Sequence, residues 1–138
     1  MNTRGFSLIE LIFSVAIMGI MMAVTIPQFG RVRELALEAS VKAVALSFQT
    51  AVETYAGENT GYPEQSYSAA ELASVMVDGG IMISIPKNPF TQQAYESGDQ
   101  AGKILYSSAD DGLGYSITAY KRDGSTVLLE LQGGSSSS

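Results

Sequence analysis

The chain has no cysteine, no histidine and no tryptophan among its 138 residues. Without cysteine there is no disulfide staple, so any core must hold by packing. The lack of cysteine and histidine also removes the usual zinc ligands, the thiol nucleophile and the commonest general base. Basic residues are scarce too: Lys and Arg number 8 against 14 Asp and Glu, a net charge of −6. An acidic chain is poorly suited to holding a phosphate backbone, so no nucleic-acid partner is expected. There is no Walker loop and no GxGxxG, and the carboxylates are scattered. We expect no enzyme activity from this sequence.

What the chain does have is one apolar run. From Phe6 to Ile26 the only charged side chain is Glu10, and Pro27 follows. That is roughly the 20 residues a helix needs to cross a bilayer. A carboxylate inside such a run is costly in hydrocarbon and marks a functional position by default. The run is longer than the apolar core of a signal peptide. Arg4 stands before it, which places the N-terminus in the cytoplasm and the rest of the chain outside.

The stretch Arg4-Gly5-Phe6-Ser7-Leu8-Ile9-Glu10 closely resembles the processing site of type IV prepilins and of the pseudopilins of type II secretion. The resemblance is dense from Arg4 to about Arg31. It implies that a prepilin peptidase cuts between Gly5 and Phe6 and methylates the new amine of Phe6. It makes Met1–Gly5 a leader and leaves a mature chain of net 7 − 14 = −7. Glu10 matches the glutamate that the family uses in assembly, and Pro27 matches its helix-breaking proline. The resemblance further implies that the segment from Gly19 to Pro27 can lose helical structure in a filament.

Beyond Pro27 the pattern stays helical to about Ala56, but with two apolar faces. Val32, Leu35, Ala36, Ala39, Ala43 and Leu46 fall on one side at 100° per residue. Leu37, Val41, Val44, Phe48, Ala51, Val52 and Tyr55 fall nearly opposite. A globular helix needs one buried face. Two faces suggest one for the chain's own head and one for neighbouring copies. Gly57 and Pro63 close this helix, with Gly57 read as a left-handed cap. The aromatics along it, Phe6, Phe13, Phe29, Phe48 and Tyr55, read as packing residues rather than a conducting ladder.

Ser68-Ala-Ala-Glu71 is a capping-box pattern that starts a short helix ending at Gly79-Gly80. Pro86 and Pro89 bar a central strand between residues 81 and 90. With Tyr95 this segment resembles the proline-aromatic loop of pseudopilin-like heads, with a structural role. Residues 103–108, 115–120 and 126–132 read as three strands, the last two joined at Asp123-Gly124. Tyr115, Ile117 and Ala119 share one face. Asp110 and Asp111 sit in the one loop with a cation flavour and could ligate Ca²⁺. Asp-Asp-Gly between strands is more often a plain turn, so no cofactor is expected apart from that possible ion. Residues 133–138 read as a flexible tail.

The expected fold is therefore α+β and pilin-like: a long N-terminal helix, kinked at Pro27, packed against a small antiparallel sheet. The expected segments are a 1–5 leader, a 6–27 transmembrane and assembly helix, a 28–132 head and the 133–138 tail. The expected function is a structural subunit of a helical filament, like the major pilin of a type IV pilus. A major pseudopilin of type II secretion is the alternative, and a non-polymerising membrane-anchored binding domain is a third reading. The resemblance implies as partners other copies of the chain, the prepilin peptidase, minor pilins, an inner-membrane assembly platform and, before assembly, the inner-membrane lipid. It also implies an inner-membrane precursor that becomes an extracellular or periplasmic filament.

Overall fold

A computed structural model describes residues 5–109 and 112–134. It contains a long helix, α1 (Leu8–Glu58), then β1 (Tyr67–Ser68), α2 (Ala69–Asp78), β2 (Ile104–Ala109), β3 (Gly114–Tyr120) and β4 (Val127–Gly134). The four strands form one antiparallel sheet in the order β1-β2-β3-β4. This is the α+β, pilin-like arrangement of a long N-terminal helix and a small sheet. The chain divides into two compact units, Met1–Ala36 and Leu37–Ser138.

The described part of the first unit is helical from Leu8 onward. It is long and apolar enough to cross a membrane. Its large apolar side chains, among them Phe13, Met18, Met22 and Ile26, are all exposed. Gly19 and Pro27 both lie inside α1, which is helical through them rather than interrupted. One proline removes one backbone donor, while the turns on either side keep theirs, so the helix need not end there. Ser14 and Thr25 donate their hydroxyls to the carbonyls of Glu10 and Met21, at 2.9 and 2.8 Å. Those bonds satisfy the Ser14 and Thr25 hydroxyls where an apolar environment offers no other partner.

In the second unit, α1 buries one face and leaves another bare. Val41, Ala45, Phe48, Ala51 and Val52 are buried, while Ala39, Ala43 and Leu46 are exposed. The buried face meets Leu72, Ala73 and Met76 of α2 and the inward residues of the sheet in one core. Sheet register brings those inward residues into rows. Ile104 pairs with Ala119, Tyr106 with Ile117, and Ile117 in turn with Leu131. The alternation expected for β3 holds, with Tyr115, Ile117 and Ala119 all buried.

The start of α2 and the end of α1 are capped by side chains. Ser68 and Glu71 close the capping box at the start of α2: the Glu71 amide bonds the Ser68 hydroxyl, and Glu71 accepts from the Ser68 amide. The Ser68 amide, and after it the Ser68 hydroxyl, donate to the Glu71 carboxylate at 2.8 Å and hold it below its ordinary value. At the end of α1, Gly57 is still helical and has no positive φ, contrary to the left-handed cap expected of it. Asn59 does that work instead, donating both its amide N–H and its side-chain amide to the Tyr55 carbonyl at 2.9 Å. A side chain that reaches back satisfies an orphan carbonyl without a left-handed residue.

Strand β4 also runs further than its composition suggests. Gly133 and Gly134 belong to β4 and pair with Tyr115 and Gly114. A Cβ on Gly133 would come within 2.5 Å of the Tyr115 ring, so the close approach of ring and strand requires glycine there. Residues 135–138 lie outside the described residues.

Two buried tyrosines fasten loops to this core, and a third joins β3 to α1. Tyr95 donates to the Gly102 carbonyl at 2.9 Å, Tyr106 to the Pro63 carbonyl at 2.8 Å and Tyr115 to the Glu53 carboxylate at 2.6 Å. Burial, first of all, pushes each phenol well above the ordinary value of 10.0; Asp99, the neighbouring tyrosines and Glu53 add to it respectively. A folded-state value raised in this way stabilises the fold fully below pH 10, and that contribution is lost as pH rises from the unfolded value toward the folded one. Alkaline titration should therefore show some phenols ionising only as the sheet signal in circular dichroism disappears. All seven tyrosines ionising together near pH 10 with the sheet intact would contradict this account.

Candidate functional site

The candidate site is the N-terminal segment, and its geometry begins with Ser7. Gly5, Phe6 and Ser7 are not helical, and all three are exposed. Ser7 is where the helix is switched on. Its carbonyl accepts from the Leu11 amide at 3.2 Å. Its hydroxyl accepts from the Glu10 amide at 3.4 Å, and the Glu10 carboxylate accepts from the Ser7 amide at 2.9 Å. These reciprocal bonds make a capping box that satisfies two orphan donors of the first turn.

Two consequences follow for the residues expected to matter. The Gly5–Phe6 peptide bond lies just outside the helix, on exposed chain, with nothing near Gly5 that a side chain would meet. A peptide bond in that state is open to a peptidase, whereas one inside a helical turn is not. Phe6 itself is 86% exposed. Glu10 is on the surface too, and its carboxylate is engaged within its own chain by the Ser7 amide. Ser-x-x-Glu before an apolar run is the same signal that marks Ser68–Glu71, and it adds a local bond to the assembly role that the resemblance implies for Glu10.

The other predicted positions fall elsewhere. Gly19 and Pro27 lie farther along α1. Asp110 and Asp111 lie outside the described residues. Beside them, Gly112 accepts a hydrogen bond from the Tyr62 amide at 3.0 Å, which joins this loop to the chain after α1. Among the described residues no group of three or more carboxylates gathers as a metal site would require.

Comparison with known proteins bears on the same segment. The prokaryotic N-terminal methylation motif matches residues 1–26. Over 113 residues the chain is 27% identical to the type IV wide pilus major component PilA4 of Thermus thermophilus, an alignment that covers 80% of this chain and 84% of the relative. No solved structure matches the chain at a comparable level. Together the motif, the long apolar helix and the relative support a type IV pilin-like family and a pilin-like filament subunit. Proteins of that family are structural rather than enzymatic.

Proposed function

We propose that this chain is the structural subunit of a type IV pilus-like filament, made as a membrane-anchored precursor and cut between Gly5 and Phe6. The observation that carries this reading is the uncovered apolar helix behind an exposed, non-helical Gly5–Phe6 bond. A bare apolar helix that leaves lipid must enter another apolar environment, and a bundle of identical helices provides one. The relative, named as a pilus component, favours a pilus over a pseudopilus. On this reading Phe6 carries the methylated amine and Glu10 acts in assembly. The peptidase, an inner-membrane platform and minor pilins act on the precursor, which sits with its N-terminus in the cytoplasm and its head outside.

The test is to shear cells that express the chain and analyse the released material. Long filaments are expected, built from a species that lacks Met1–Gly5 by intact mass. Gly5→Val should leave full-length precursor in the membrane and release no filaments, because a branched side chain stands where the peptidase meets glycine. Filaments built from uncut chain, or a Gly5→Val variant processed like the parent, would contradict the proposal.

A further inference from the structure

The head carries a cleft beside Tyr62. It encloses about 630 Å³ between the end of α1 and the loop that follows it. Tyr55, Tyr62 and Tyr67 line it together with Glu58 and Glu64, and among the described residues no Lys or Arg side chain lines it. Both carboxylates are exposed, and neither has an ion-pair partner among the described residues. Tyr62 is held in place because its hydroxyl donates to Glu53 at 3.0 Å and its ring packs 4.8 Å from that of Tyr115. The cleft is therefore an acidic wall with an aromatic floor fixed in position. Aromatic faces beside carboxylates suit a guanidinium, which stacks on the ring and forks to the carboxylate.

The same chain carries two guanidinium groups in need of such a place. Arg31 and Arg33 are exposed and make no ion pair among the described residues. On a helix of 100° per residue they flank Val32 by one step each. Val32, Leu35 and Ala36 are exposed, so the two arginines border the bare stripe against which another copy would lie. Of the other cations, Lys121 pairs with Glu38 at 3.4 Å, and Lys103 and Arg122 lie over the rings of Tyr120 and Phe90, while the exposed Lys42 and Lys87 carry ammonium groups, which cannot fork to a carboxylate.

We infer that the cleft lined by Tyr55, Tyr62, Tyr67, Glu58 and Glu64 receives Arg31 or Arg33 from a second copy of this chain. This rests on the filament reading and adds to it a contact between the head of one subunit and the helix of another. The contact sets orientation more than strength, because an isolated exposed ion pair is worth little and a stacked, bidentate one fixes geometry.

The absence of native cysteine makes the test direct. The full chain is expressed with Arg31→Cys or Arg33→Cys combined with Glu64→Cys, and sheared filaments are oxidised. At least one of the two pairs should give a ladder of dimers and higher species on non-reducing gels, while each single variant should not. In parallel, Glu58→Gln with Glu64→Gln should lower the filament yield several-fold, and the loss caused by Arg31→Glu with Arg33→Glu should be partly restored by Glu58→Arg with Glu64→Arg. Filaments that form in parental amounts from the neutral variants, with no ladder from either pair, would overturn this contact and leave the filament reading standing. A parent chain that yields no filaments would overturn both.

Discussion

Glu10→Leu subunits are expected to insert in the membrane and to be cleaved, yet to be missing from filaments made alongside wild-type subunits. Cleavage at Phe6 would create an ammonium at the head of an apolar helix, with Glu10 one turn along. In a filament core an unpaired carboxylate costs several kcal/mol, and so does the unpaired amine. The amine of one copy against the Glu10 carboxylate of another neutralises both and sets the axial register. The capping box supplies the rival account: Glu10 already holds the Ser7 amide at 2.9 Å within its own chain. If that local bond were its whole role, Glu10→Gln would serve almost as well, since glutamine also closes a capping box. The charge-pairing account predicts that Glu10→Gln fails to assemble like Glu10→Leu. Quantifying tagged variant subunits in sheared filaments, against their cleaved amount in the membrane, separates the two. Assembly of Glu10→Gln at the parental level would rule out pairing as the reason for this residue.

The parts of the fold written in local signals were legible in the sequence. The Ser68–Glu71 box, the alternation of Tyr115, Ile117 and Ala119 and the two faces of α1 each depend on residues a few positions apart, so spacing alone reveals them. β1 was not legible, because two residues carry no period. Its pairing, Tyr67 with Tyr106 and Ser68 with Leu105, is decided by the position of β2. Gly133 and Gly134 looked like linker by composition, but the Tyr115 ring needs a residue without a side chain there. Pro27 stands inside the helix, where one lost hydrogen bond is outweighed by the long helix on either side. In the candidate site, Glu10 stands out as a charge inside an apolar run, and Gly5 and Phe6 stand out through the resemblance to the prepilin processing site. The Ser7 cap carries the same Ser-x-x-Glu spacing as Ser68–Glu71, but inside an apolar run that spacing also fits a glutamate kept for assembly. The cleft beside Tyr62 gathers residues from the end of α1, the loop after it, α2 and the chain before β3, and no sequence window holds them together.

Asn88 shows the same limit in energetic form, and its removal should be among the most damaging single changes in the head. Between Pro86 and Pro89 it reads as an ordinary loop residue, yet it is fully buried. Its side-chain amide donates to the Ala101 carbonyl at 2.8 Å and to Asp99 at 3.1 Å, and its side-chain oxygen accepts from the Phe90 amide at 3.0 Å. Its backbone accepts from Gln92 at 2.8 Å and donates to Gln93 at 2.7 Å. One residue thus ties the proline loop to the segment that leads into β2. Asn88→Leu fills a similar volume but strands those partners, each a loss of about 1–3 kcal/mol when buried, so a destabilisation of about 3 kcal/mol is expected. That is a large share of the roughly 5–15 kcal/mol that holds a typical domain. Asn88→Asp probes the same site differently. It keeps the shape and the acceptor for Phe90, but aims a carboxylate at Asp99 and the Ala101 carbonyl. The folded state then favours the protonated form, so the loss relative to the parent should grow as pH rises and shrink as it falls. Urea unfolding of the full chain in detergent micelles, followed by tyrosine fluorescence at several pH values, measures both effects. An Asn88→Leu variant as stable as the parent, or an Asn88→Asp deficit that does not change with pH, would show that these bonds do not hold the loop.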